Sequence, residues 1–85
     1  MTPTDPQQDE ATMLHLWSEV LQISSVGLDD DLIDIGGDSL TAMTLLSKIT
    51  AEFGVELELW DLLDAGTPRR LLDVVHAAAE DRSRI

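Results

Sequence analysis

The sequence predicts an all-α fold: a small four-helix bundle with three long helices, one short one, and a long loop between the first two. Three observations carry this. Apolar residues recur at helical spacing in three separate stretches. Gly54, Gly66 and the Thr67-Pro68 pair mark stops and starts between the later stretches. The one segment that alternates as a strand does, Val55-Glu56-Leu57-Glu58-Leu59, has no second strand to pair with, and a lone strand cannot make a sheet. A chain of 85 residues makes one domain with one modest core.

In chain order, residues 1–8 are polar and contain two prolines, so they are expected to be a flexible N-terminus, with Asp5-Pro6 as an alternative cap and first turn. The folded domain is expected over residues 9–80. Its first helix extends to Gln22, with Met13, Leu16, Trp17, Val20 and Leu21 forming one apolar stripe. From Ile23 to Asp38 the period breaks, with Ser24, Ser25, Gly27, three consecutive aspartates and Gly36-Gly37 supplying loop chemistry. Val26, Leu28, Leu32, Ile33 and Ile35 in that loop imply that it is pinned across the core, with a short helical turn near Asp30 to Ile33. The second helix begins at Asp38 or Ser39, with Asp38 as N-cap, and ends at Phe53 before Gly54. Ala42, Leu45, Leu46, Ile49 and Phe53 face inward, while Leu40, Met43 and Ser47 fall on a neighbouring face. Val55 to Leu59 is an extended connector with its apolar side on the core. A short third helix covers Trp60 to Asp64. A fourth follows Thr67-Pro68 to about Glu80, with Leu71, Leu72, Val75, Ala78 and Ala79 inward. Residues 81–85 form a tail that sets Arg82 and Arg84 near the negative helix end.

Composition bounds the function. Seventeen acidic residues against five basic ones give a net charge of −12, which repels nucleic acid and anionic membranes and suits partners with basic patches. The plain alternative is that this charge only keeps the protein soluble. There is no cysteine, hence no disulfide, thiolate metal site or thiol nucleophile. The N-terminus lacks a signal-peptide pattern and no apolar run approaches the roughly 18 residues of a membrane span, so a cytoplasmic monomer is expected.

The chemistry concentrates in Asp34-Ile35-Gly36-Gly37-Asp38-Ser39-Leu40. A serine opening a helix holds its hydroxyl at the positive end of the dipole, beside N–H groups without helical partners, which suits a phosphate. This segment, with Leu16-Trp17-Ser18-Glu19-Val20-Leu21 before it and Phe53-Gly54-Val55-Glu56-Leu57 and Ala65-Gly66-Thr67-Pro68 after it, resembles the phosphopantetheine-dependent carrier proteins. The resemblance runs from about Leu14 to Val75. It implies a non-catalytic carrier. By that resemblance Ser39 would bear a covalent 4′-phosphopantetheine arm, with Gly36, Gly37 and Asp38 around the attachment; Leu40, Met43 and Ser47 are the candidates for partner contact, the alternative for Leu40 and Met43 being a place in the core. The two glycines would leave the approach to the serine unobstructed, and an ordinary turn accounts for them equally well. Implied partners are a phosphopantetheinyl transferase, an adenylation or acyl-loading enzyme, and downstream condensing or tailoring enzymes. Asp38, Glu52, Glu56 and Glu58 would steer them. Peptidyl carriers often have two aromatics where this chain has Leu32 and Ile33, and histidine where it has Asp38. The later stretch from Leu62 to Pro68 leans toward peptide-synthetase carriers, so nonribosomal peptide or polyketide synthesis is implied, with a fatty-acid-type acyl carrier as the alternative subclass. Met1 and the lack of a linker suggest a free-standing protein.

Other readings compete. Gly37-Asp38-Ser39-Leu40 with Asp73-Val74-Val75-His76 matches a serine-esterase signature, but no asparagine exists to complete an oxyanion hole, and Asp73 and His76 are expected to be a solvated pair. The acidic loop fails the calcium-loop pattern, since Ile33 and Leu40 fall where ligands are needed. No Gly-Lys-Ser/Thr follows the glycines, which excludes a P-loop. His15 and His76 lack a ligand cluster, so no metal is expected. The alternative from a different class is an unmodified acidic helical interaction module.

Overall fold

The structure is a computed structural model and describes residues 6–83. The expected cap at Asp5 and the placing of the Arg82 and Arg84 side chains lie outside the described residues. Among the described residues four helices form the bundle: α1 (Pro6–Leu21), α2 (Ser39–Phe53), α3 (Leu59–Ala65) and α4 (Pro68–Ser83).

Helix α1 starts earlier than its stripe implies. Residues 6–8 are already helical rather than part of a flexible terminus. Proline suits a first helical turn, and the turn is tied down: Asp9 Oδ2 lies 3.0 Å from His76 Nε2 on α4. That contact also corrects the expected Asp73–His76 pair, because His76 reaches across the bundle instead. At the other end Gln22 lies outside α1 in the left-handed region, φ 59°, and the Ile23 N–H donates to the Ser18 carbonyl at 3.1 Å, a Schellman closure.

Helix α2 has the expected bounds, and the Gly54 N–H closes it on the Thr50 carbonyl at 3.0 Å. Helix α3 is one residue longer at each end than expected, its start held by the Glu58 N–H donating to the Asp61 carboxylate at 2.9 Å. Helix α4 is capped by Thr67, whose hydroxyl accepts from the Arg70 N–H at 3.2 Å. It continues through Ser83, so residues 81–83 are helix and not tail.

The core takes Met13, Leu16 and Trp17 from α1, Ala42, Leu45 and Ile49 from α2, Leu62 and Ala65 from α3, and Leu71, Leu72 and Val75 from α4. Val26 and Leu32 from the loop and Val55 from the connector complete it. Burying each large member contributes about 1.5–3 kcal/mol. Trp17 Nε1 is enclosed without an acceptor, at a cost of about 1–3 kcal/mol.

The loop is pinned as expected, with one exception. The turn falls at residues 32–36, not at Asp30 to Ile33, closed by the Ile35 N–H on the Asp31 carbonyl and the Gly36 N–H on the Ile33 carbonyl. A turn of this kind sends Leu32 and Ile35 to one side and Ile33 to the other, so Leu32 is buried, Ile35 half-buried and Ile33 62% exposed. Two backbone bonds fasten the loop to the far end of the chain. The Leu32 N–H donates to the Gly66 carbonyl at 2.8 Å and the Arg69 N–H to the Leu28 carbonyl at 3.0 Å. Each aspartate of the acidic run is also committed. Asp29 takes Arg69 Nε at 2.8 Å and Nη2 at 3.3 Å, Asp30 accepts from the Gly27 N–H, and Asp31 accepts from the Ile33 N–H.

The Arg69 guanidinium hydrogen-bonded to Asp29 holds that carboxyl below its usual value. A depressed carboxyl contributes stability above its unfolded value, and that contribution disappears as pH falls through the folded one. The clamp is therefore intact at neutral pH and released in acid below the ordinary aspartate range of about 4. Asp29→Asn is expected to flatten this part of the acid limb in urea melts between about pH 5 and 2. Parallel curves for both proteins would show that the pair is silent.

Candidate functional site

Ser39 is the first residue of α2 and is exposed. Asp38 precedes it in extended backbone, φ −136° and ψ −175°, and its Oδ1 accepts the Thr41 N–H at 2.8 Å. The Asp38 carbonyl takes the Ala42 N–H at 2.8 Å. Among the described residues the Ser39, Leu40 and Thr41 N–H groups have no carbonyl partner at this helix end, and the Thr41 one is taken by the Asp38 carboxylate. The Thr41 N–H first and the Thr41 hydroxyl next, with smaller help from the Leu40 N–H, hold the Asp38 carboxyl below the usual range. Capping here falls to Asp38, and the Ser39 hydroxyl stands clear of it.

The two glycines do different work from one another. Gly36 has φ +99°, which side chains rarely adopt, and a Cβ there would meet nothing within 4 Å. The space beside it is open. Gly37 is bare for another reason. A Cβ on it would fall 2.6 Å from Leu32 Cγ and Cδ1 and 2.7 Å from the Leu32 carbonyl oxygen. The Gly37 N–H also donates to that oxygen at 2.8 Å. Gly37 thus makes room for a core residue, not for an incoming group.

Along α2, Leu40 is 76% exposed and Met43 58%, and Ser47 is exposed one turn further on. The structure adds Ile33, Trp60 and Leu63 as large exposed apolar residues. Trp60 and Leu63 lie three apart on α3, opposite its buried pair Leu62 and Ala65. With Leu62 and Ala65 placed inward, that spacing was the available signal for them. Helix α2 itself carries only Lys48 and Glu52, and Lys48 Nζ lies 3.4 Å from Glu19 on α1. The negative field comes from the flanking segments: over residues 28–47 and 54–68 every charged residue is Asp or Glu. Glu52, Glu56 and Glu58 are all exposed.

No esterase geometry is assembled among the described residues. Ser39 opens a helix, and neither histidine is among its partners: His15 lies 3.8 Å from Glu19, and His76 is held by Asp9. Among the described residues no cluster of three or more His, Cys, Asp or Glu is placed to hold a metal ion, and no helix is long and apolar enough to cross a membrane.

The family described as "Phosphopantetheine attachment site" matches residues 11–75. A linear gramicidin synthase of Brevibacillus parabrevis is 38% identical over 82 residues, 96% of this chain and 2% of that protein. The chain therefore spans about 2% of the length of this curated relative. Among solved structures, BlmI, a type-II acyl-carrier protein of Streptomyces verticillus involved in bleomycin biosynthesis, superposes with a TM-score of 0.80 at 30% identity, covering 84% of this chain and 86% of that one. A peptidyl carrier protein solved in complex with the phosphopantetheine transferase Sfp and coenzyme A gives a TM-score of 0.78 at 31% identity, covering 91% and 97%.

Proposed function

The chain belongs to the phosphopantetheine attachment-site family, and on that premise we propose that Ser39 is the residue that takes the arm. It is a carrier domain, holding its cargo on 4′-phosphopantetheine. The observation that supports Ser39 is its exposed hydroxyl at the start of α2, without a hydrogen-bond partner among the described residues. The site fits the group: the Ser39 side chain is exposed, so a phosphodiester has room there. When bound, the arm supplies a terminal thiol that a chain without cysteine lacks. Asp38 fixes where the serine stands by closing the helix beneath it. Gly37 and Leu32 seat the turn that leads to it. The domain holds its cargo and does not transform it, so an adenylating or acyl-loading enzyme puts the acid on and condensing or tailoring enzymes take it off. The synthase relatives favour nonribosomal peptide assembly, in the cytoplasm.

Partners read exposed residues of α2 beyond the serine, the apolar Leu40 and Met43 and the polar Ser47, and Ile33, Trp60 and Leu63 offer further exposed apolar surface. The acidic flanks favour a partner with basic groups around an apolar centre. Met43→Glu is expected to lower kcat/KM with the transferase about tenfold or more, the loss of one hot-spot contact, while circular dichroism stays unchanged because the side chain is exposed. A collapse of helicity would place Met43 in the core instead.

Incubation with coenzyme A and a broad phosphopantetheinyl transferase tests the assignment. Intact mass should rise by a single arm, and peptide mapping should place it on Ser39. No gain under conditions that modify another carrier would leave the unmodified acidic module as the better reading.

A further inference from the structure

We propose that Asp38 keeps a phosphodiester on Ser39 off the end of α2, the carboxylate and the phosphodiester being rival anions at one helix terminus. The inference rests on Ser39 as the attachment residue. A helix N-terminus attracts one anion readily. Here the position is already taken, since Asp38 Oδ1 accepts the Thr41 N–H at 2.8 Å and the Asp38 carbonyl accepts the Ala42 N–H. A phosphodiester on the next residue brings a second negative charge to within roughly 6 Å, close enough for the two to repel.

Among the described residues no cation relieves them. Only uncharged donors, the Thr41 N–H first and the Thr41 hydroxyl next, act to hold the Asp38 carboxyl in its charged form. From residue 28 to residue 47 every charged side chain is an aspartate: Asp29, Asp30, Asp31, Asp34 and Asp38. Lys48 lies roughly 15 Å further along α2 and pairs with Glu19. Arg69 and Arg70, in the first turn of α4, act on Asp29. The carboxylate has the stronger claim because the chain already places it in N-cap geometry. The phosphodiester is therefore turned outward, toward solvent, and the arm leaves the surface free of the helix end. Attachment in turn weakens the cap.

The test compares the wild-type protein before and after modification by NMR, with the mass gain confirmed first. The midpoint of the Asp38 carboxyl titration should rise by roughly half to one pH unit on modification, and the Thr41 N–H should exchange about three- to tenfold faster. Asp38→Asn keeps a competent cap and removes the rival charge. In that variant modification should shift the Ser39 and Leu40 amide resonances further than in wild type and broaden the phosphorus line. An Asp38 midpoint that stays put or falls on modification overturns the inference alone. Absence of any mass gain overturns the attachment reading and the inference with it.

Discussion

Ser39→Ala is expected to abolish arm attachment completely while leaving the fold intact. The two effects separate because fold and chemistry use different atoms. The Ser39 hydroxyl is exposed and caps nothing, whereas Asp38 closes α2 through the Thr41 N–H. Removing the hydroxyl deletes no internal contact, and alanine is the better helix former. The unfolding free energy should therefore change by no more than about 0.5 kcal/mol, the usual range for surface positions. Intact mass after incubation with coenzyme A and transferase should match the untreated protein. A residual single-arm gain would mean that another hydroxyl, Thr41 or Thr44, accepts the arm. A loss of stability well above 1 kcal/mol would mean that the hydroxyl has a structural partner in solution.

Gly37→Ala is expected to do the reverse, damaging the fold first and the site through it. The new methyl would lie 2.6 Å from Leu32 Cγ and Cδ1 and 2.7 Å from the Leu32 carbonyl oxygen. A side chain can move aside, but the carbonyl is backbone and holds the Gly37 N–H at 2.8 Å. The turn has to shift, and Leu32, 1% exposed in the core, shifts with it. Overpacking of this kind costs about 1–3 kcal/mol, and partial loss of a buried leucine adds to it, so about 2–4 kcal/mol is expected. That is a large share of the about 5–10 kcal/mol that holds a domain of this size. Gly36→Ala is the matched comparison. Its Cβ meets nothing, so only backbone strain remains, about 1–2 kcal/mol. Urea melts of both variants would check the order, and a Gly36 variant weaker than the Gly37 one would refute this account of the turn.

Much of the fold was legible because its signals are local. The stripes of α1, α2 and α4, the stop at Gly54, the cap at Asp38 and the cap at Thr67 each lie within a few residues of what they control. The placing of Ser39 at a helix start followed from the same signals. What escaped was of two kinds. Some facts depend on direction within a short element: Ile33 points out because the turn sits at residues 32–36, and a seven-residue α3 offers too few turns to show from its pattern alone that Trp60 faces solvent. Others depend on partners far apart in the chain. Asp9 meets His76 across 67 positions and Asp29 meets Arg69 across 40, and neither pairing leaves a pattern in the residues around it. Gly37 belongs to both kinds, since a glycine in a motif looks like an accommodation for the ligand until the side chain it accommodates is seen.

The fastening of the loop to Gly66 and Arg69 bears on when the site matures. Ser39 leaves the ribosome well ahead of the carbonyl that holds Leu32 and the guanidinium that holds Asp29. A nascent chain that stops before residue 66 carries the serine without the scaffold that presents it. If Ser39 takes the arm, competence for modification would wait for the chain through Arg69, and an enzyme that recognises the assembled loop would pass over shorter copies.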